Sequence, residues 1–172
     1  MQHTRRAFLQ TAAAVSAFAQ DRNQTPPNIL FLFPDQLRFD WTGANKKLPV
    51  RTPHLDQLAA RGVRFTNAVV ASPLCAPSRA CLAAGKEYDR CGVPSNGQDY
   101  PISQKTYYTL LRDSGYEVLG CGKLDLAKAS HDWGVDGKKH LTEWGFSDGV
   151  NNAGKFDAIR NSYPEPQDPY MA

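Results

Sequence analysis

Several features that would assign a function at once are missing from this chain of 172 residues. No apolar stretch approaches the roughly 20 residues needed to cross a bilayer as a helix. Cys75, Cys81, Cys91 and Cys121 form no C-x-x-C pair, and no His/Cys pairing has zinc-finger spacing. No glycine-rich phosphate loop and no internal repeat occur. Charge of one sign is not in excess either: 20 Lys and Arg face 17 Asp and Glu, for a formal charge of +3. That balance lacks the basic density of a nucleic-acid binder, so no nucleic-acid partner is expected.

What is present begins with a leader. Residues 1–20 carry Arg5–Arg6, then Phe8 and Leu9, a short mildly apolar run, and small residues at Ala17 and Ala19. This pattern predicts a twin-arginine export signal with an A-x-A-like cleavage site near Ala19. Its partner would be the twin-arginine export machinery, and the destination periplasmic or extracellular. Arg5 and Arg6 are the only formal charges in that leader, so without it the net charge falls to +1. A protein exported by this route folds in the cytoplasm, so side-chain maturation would be finished before export. The even cysteine count allows a two-disulfide reading with three connectivities, although a chain this long does not need such staples. Cys81 and Cys121, among small and apolar residues, read as buried thiols.

The remaining chain reads as α/β. "PNILFLFPDQ" (27–36) is an unbroken apolar run closed by Pro34, as expected of a strand buried on both faces of a parallel sheet. "TPHLDQLAARG" (52–62) predicts a helix opened by Thr52 and Pro53, striped by Leu55, Leu58 and Ala59, and stopped by Gly62. "VRFTNAVV" (63–70) alternates like a strand. "PSRACLAAG" (77–85) predicts a second helix, closed by Gly85. Residues 92–101, rich in Gly, Pro, Asn and Ser, read as loop. "KTYYTLLRDSG" (105–115) predicts a helix with Tyr107, Leu110 and Leu111 on one face, and "YEVLGCGK" (116–123) a second buried strand. Beyond Leu124 little periodicity remains.

Ligands in open α/β sheets sit beyond the carboxyl ends of strands. Both expected buried strands end in polar residues there: Asp35 and Gln36 after the first, Lys123 and Asp125 after the second. Asp35 and Gln36 offer hard oxygens suited to Ca²⁺ or Mg²⁺, a pairing that also occurs in plain turns. Arg79 sets a guanidinium beside the unpaired N–H groups of a helix start, which favours an anion. Cys75 falls just before that helix. Chemistry alone leaves three readings open for it: a buried structural thiol, a reactive thiolate, or a cysteine converted to another group.

In this order and spacing, "PNILFLFPDQLRFD", "TPHLDQLAARGVRFTNAVVASPLCAPSRACLAAG" and "GYEVLGCGKLDL" resemble the N-terminal part of the sulfatases of the alkaline phosphatase superfamily. The likeness runs from about Asn28 to Gly149, and C-x-P-S-R is its most specific element. It implies an alkaline phosphatase-like α/β sandwich with a largely parallel central sheet, of which residues 21–172 would be the N-terminal part. The implied reaction is hydrolysis of sulfuric esters, aryl or carbohydrate. A phosphonate or phosphate ester hydrolase on the same fold is the alternative, as is an inactive fragment.

By this resemblance Cys75 is the precursor of Cα-formylglycine, made by a formylglycine-generating enzyme. One hydroxyl of the hydrated aldehyde attacks sulfur and the alcohol leaves; the other hydroxyl then loses its proton, restoring the aldehyde and freeing sulfate. A serine or cysteine would remain trapped as its sulfated adduct. The resemblance gives Asp35, Gln36 and the modified Cys75 to a divalent cation, Ca²⁺ or else Mg²⁺. It makes Arg79 the holder of the hydrated side chain and Lys123 the contact to the sulfate-ester substrate. Family members often carry G-K-x-H where this chain has Gly122-Lys123-Leu124-Asp125. Asp125 is therefore a candidate catalytic residue of changed character, an acceptor that cannot donate while ionised.

His54 is expected to be exposed, and His131 and His140 to lie at the surface or in a substrate cleft. Trp133 and Trp144 suit packing over a sugar ring, but are expected more strongly in the core. Two oxygen ligands and one modified side chain fall short of the 6–8 ligands calcium takes. From this shortfall the chain is expected to be an N-terminal fragment, inactive alone.

Overall fold

The computed structural model describes residues 25–152 and 154. The proposed leader, residues 1–20, lies outside the described residues. The chain divides into two compact units, residues 1–64 and residues 65–172.

In the first unit the sequence around Thr52 organises a short helix, α1 (Pro53–Arg61). Proline at its first position needs no hydrogen-bond partner and arrives with a helical φ. The Thr52 hydroxyl donates to Asp56 Oδ1 at 2.9 Å and accepts from the Gly43 amide at 2.8 Å, fastening the single helical turn Gly43–Asn45 to the helix start. A side chain at position 43 would run into the Asp56 carboxylate, so this close approach requires glycine. Leu55 and Leu58 of the expected stripe are exposed.

The first unit corrects one expectation. Residues 29–33 form no strand, and Leu30 is 82% exposed. An apolar run acquires strand character only by exchanging backbone hydrogen bonds with neighbours, and no strand pairs with it among the described residues.

The second unit carries the core. Helix α2 (Cys75–Ala84) buries Ala76, Pro77, Ala80, Cys81 and Ala83, small residues that let the helix sit close against its surroundings. Its end is fixed by Gly85 at φ +60, where the amides of Gly85 and Lys86 reach back to Leu82 and Cys81 at 3.3 and 3.2 Å. Its start is unusual. The residue before it, Leu74, has no side-chain oxygen to cap with, and Asn96 from the following loop accepts from the Ala76 amide at 3.0 Å instead. Cys75 is thus the first helical residue rather than the one before the helix.

Helix α3 (Tyr107–Asp113) is capped by Thr106, whose hydroxyl accepts from the Thr109 amide at 3.1 Å and donates to the Trp144 carbonyl. Its inward face differs from the expected one. Tyr108 packs on Phe146 with ring centroids 4.3 Å apart, while Leu110 points outward. Strands β1 (Leu119–Lys123) and β2 (Asp148–Asn152) pair in parallel, with Gly120 opposite Gly149 and Lys123 opposite Asn152.

β1 was expected and β2 was not, because "DGVNN" has neither apolar content nor alternation. β1 is also less buried than expected: Gly120 is its one buried residue, and Cys121 is exposed. Residues 63–70, read as a strand, are exposed and form no strand. A parallel pair needs a long crossover, and here that crossover, residues 124–147, supplies six of the thirteen buried core residues. Trp133, Leu141, Trp144 and Phe146 are each at most 2% exposed. Both tryptophans are therefore core residues and not a sugar platform. Among the described residues no helix is long and apolar enough to cross a membrane.

Candidate active site

Four of the residues singled out by sequence meet in the second unit. Cys75 opens α2, and Lys123 ends β1. Their side chains converge, with Lys123 Nζ 3.5 Å from Cys75 Sγ. Arg79, one turn further along α2, is buried and donates to the Lys123 carbonyl, which fixes the strand end against the helix. Asp125 follows two residues after the strand with a left-handed backbone, φ +52. Aspartate tolerates that conformation better than most side chains, and the turn swings its carboxylate back under the strand end.

The Asp125 side chain is fully buried. Lys123 Nζ lies 3.3 Å and Arg79 Nε 3.9 Å from Oδ2, and Lys128 Nζ lies 3.7 Å from Oδ1. Burial raises the Asp125 carboxyl above its ordinary range, because an ionised group loses its hydration there. Lys123, Lys128 and Arg79 pull in the opposite direction. Neither carboxylate oxygen has a hydrogen bond of good geometry, so the carboxylate is held by charge more than by directed bonding. Three cationic side chains thus gather around this carboxylate, with Lys123 also beside Cys75. Cationic side chains in a partly dehydrated site attract an anionic group.

Sequence reasoning missed three contributors. Lys128 is buried, although isolated lysines on polar stretches are ordinarily solvated. Asn151 of β2 is 1% exposed and accepts from the Leu124 amide at 3.1 Å, fixing the chain between Lys123 and Asp125. Asn96 caps α2. None belongs to a motif, since each acts through a turn or pairing that only the folded chain creates.

Asp35 and Gln36 lie in the first unit, adjacent in sequence, with Gln36 at φ +50. Their donors are the hard oxygens calcium prefers, but two side chains cannot fill its shell. Among the described residues no group of three or more His, Cys, Asp or Glu could hold a metal. The described residues alone do not make a calcium site. His54 is exposed, and His131 and His140 are half-buried, His140 lying 3.4 Å from Asp132 and from Glu143. All four cysteines are free thiols, Cys81 and Cys91 being buried.

A cysteine at a helix start, a lysine from a strand end and a buried arginine that donates to that lysine's carbonyl are brought together on an α/β frame. The family model described as Sulfatase matches residues 27–171. Human (Homo sapiens) steryl-sulfatase is 32% identical over 124 residues, covering 66% of this chain and 21% of that protein. Bovine (Bos taurus) arylsulfatase A is 39% identical over 108 residues, 59% of this chain and 21% of its own. An ulvan-active sulfatase of Formosa agariphila is 34% identical over 125 residues, 73% of this chain and 23% of its own. This chain belongs to the sulfatase family, and its fold class is the alkaline phosphatase-like α/β fold of that family. It spans about a fifth of the length of these relatives.

Proposed function

We propose that this chain carries the nucleophile edge of a sulfuric ester hydrolase, with Cys75 as its reacting position. The observation that carries this reading is the 3.5 Å approach of Lys123 Nζ to Cys75 Sγ at the first residue of α2. As formylglycine, position 75 supplies a hydrated aldehyde, an oxygen nucleophile toward sulfur that a thiol does not provide. Lys123 binds an oxygen of the sulfate group and offsets the charge that builds there. Arg79 holds the Lys123 carbonyl and positions α2 and β1 so that the two side chains meet. Asp125 sets the place and strength of the positive charge.

Asp35 and Gln36 contribute two oxygens toward a divalent cation, Ca²⁺ by their chemistry, whose other ligands come from elsewhere. The maturing partner is a formylglycine-generating enzyme acting on the unfolded C-x-P-S-R segment. With the leader 1–20 read as a twin-arginine signal, maturation precedes export to the periplasm or beyond. Sulfated aryl or carbohydrate esters are the substrate class.

The test is mass spectrometry of the peptide containing residue 75 after co-expression with such an enzyme. Conversion of –CH₂SH to –CHO removes about 18 mass units. The expected result is that loss at Cys75, together with hydrolysis of an aryl sulfate that Cys75→Ala abolishes. Turnover by protein whose residue 75 still alkylates as a thiol overturns the proposal.

A further inference from the structure

The strand end that carries Lys123 is held from the side by its partner strand. Asn151 of β2 sits opposite Gly122, and its Oδ1 accepts from the Leu124 amide, the first beyond β1, at 3.1 Å. The backbone amide of Asn151 donates to the Gly137 carbonyl at 2.8 Å, so the residue that holds Leu124 is itself anchored in the crossover. Asn151 is 1% exposed, and its Nδ2 has no hydrogen-bond partner among the described residues. Burying such a donor is unfavourable, and an apolar residue would suit the position better if packing were its whole role.

Two residues past β2 the chain lies against the lysine itself. Asn152 Oδ1 accepts from the Gly154 amide at 2.9 Å, and Gly154 has φ +76. A Cβ built on Gly154 would lie 3.3 Å from Lys123 Cδ and 3.9 Å from its Cγ, and the three nearest atoms it would meet all belong to Lys123. Glycine lets the backbone border the lysine stem where a side chain would press on it. That stem ends in the Nζ 3.5 Å from Cys75 Sγ and 3.3 Å from Asp125 Oδ2.

Resting on the reading of Cys75 and Lys123 as the reacting edge, we propose that Asn151 and Gly154 are positioning residues for Lys123. Asn151 sets the direction in which the chain leaves β1, and with it the root of the Lys123 side chain. Gly154 borders the stem and fixes the path by which Nζ reaches position 75. Neither touches the reacting atoms. A lysine stem has many rotamers, so confining it raises the share of molecules whose ammonium stands ready for a sulfate oxygen.

Two measurements separate position from reaction. Expressed without its maturing enzyme, the chain keeps a thiol at position 75. Succinimidyl iodoacetate, a short thiol- and amine-reactive cross-linker, then reports by peptide mass mapping whether Lys123 stands beside it. The parent is expected to give the Cys75–Lys123 cross-link. Asn151→Leu keeps the volume and loses the acceptor, whereas Gly154→Asn tolerates the left-handed backbone and adds a side chain. Each is expected to lower the cross-link yield about fivefold and, in the matured chain, kcat for an aryl sulfate about tenfold, with KM changed by less than about threefold. On a Lys123→Met background either change should lower kcat by less than about twofold, a non-additivity that general loss of structure does not produce.

Unchanged cross-linking in both variants overturns the proposal, as does a loss of kcat that adds in full to that of Lys123→Met. If Asn151→Leu fails to fold, Gly154→Asn decides by the same two readings. A parent without the cross-link overturns the positioning whatever its activity. A parent that cross-links yet hydrolyses no aryl sulfate sinks the reading of the reacting edge alone, since the fall in cross-linking still shows which residues place the lysine.

Discussion

The buried guanidinium of Arg79 donates to the backbone carbonyl of Lys123, 44 residues away in sequence. That bond joins the helix carrying Cys75 to the strand carrying its lysine, and the same guanidinium faces the covered Asp125 carboxylate. Removing it leaves the part-buried Lys123 carbonyl without this donor and a buried anion with one cation fewer. Arg79→Ala is expected to cost about 3 kcal/mol, the scale for breaking a buried charged contact from one side. Arg79→Lys should recover only part of this, because an ammonium lacks the planar fork that reaches both groups. Urea denaturation of the three proteins checks the order.

Lys123 is expected to behave differently from Arg79. Its side chain approaches Cys75, and Asp125 keeps Arg79 and Lys128 when it is removed. Lys123→Met should lower kcat for an aryl sulfate by about 10²–10³-fold, the usual loss when one charge-stabilising donor is deleted. The denaturation midpoint should move much less than for Arg79→Ala. Kinetics and melting of the same preparation separate the two effects, and a large fall in stability with unchanged kcat would contradict the assignment.

Thr106 couples helix α3 to the crossover, accepting from the Thr109 amide and donating to the Trp144 carbonyl. Thr106→Val keeps the shape but loses both bonds, and should cost about 1–2 kcal/mol. Thr106→Ser should restore most of it. At the same junction Gly145 has φ +100, and an added Cβ would overlap the Thr109 backbone. Gly145→Ala should therefore destabilise more than Thr106→Val, since neither the conformation nor the space accepts a side chain. Thermal unfolding ranks the three.

The thiols should separate by burial. Cys121 is exposed on β1, whereas Cys81 is covered. Burial, with Cys91 beside it, pushes the Cys81 thiol up from 9.0 to about 11. At pH 8 iodoacetamide should modify Cys121 within minutes and Cys81 only on unfolding, as peptide mass mapping would show. The linkage has a definite sign. Because the folded-state value lies above the unfolded one, the neutral buried thiol supports the fold fully below pH 9. That support is lost as pH rises from about 9 through about 11. The Cys81→Ala variant should show a shallower loss of stability over that window.

The legible parts of this protein were those governed by neighbours in the chain. Pro53 after Thr52 and Gly85 after an alanine-rich run set helix limits through local backbone chemistry, and those limits were readable in the sequence, whereas the Thr106 cap and the start of α2 at Cys75 were not. The C-x-P-S-R signature and the glycine-lysine strand end likewise exposed Cys75, Arg79 and Lys123, because both are short and contiguous. What failed was burial. The run 29–33 looked like an interior strand and is exposed, while "DGVNN" looked like loop and pairs with β1.

Pairing is a property of two segments, so hydrophobic pattern in one of them cannot establish it. The same reason hid Lys128 and Asn151. Their sequence neighbours are unremarkable, and they matter only because the turn after β1 and the parallel register bring them to Asp125 and Leu124. By itself the sequence determined the family and picked out Cys75, Arg79, Lys123 and Asp125 as candidates. Only the tertiary structure decided which charges share one buried carboxylate, since the energy of an ion pair depends on separation and covering, and neither is written along the chain.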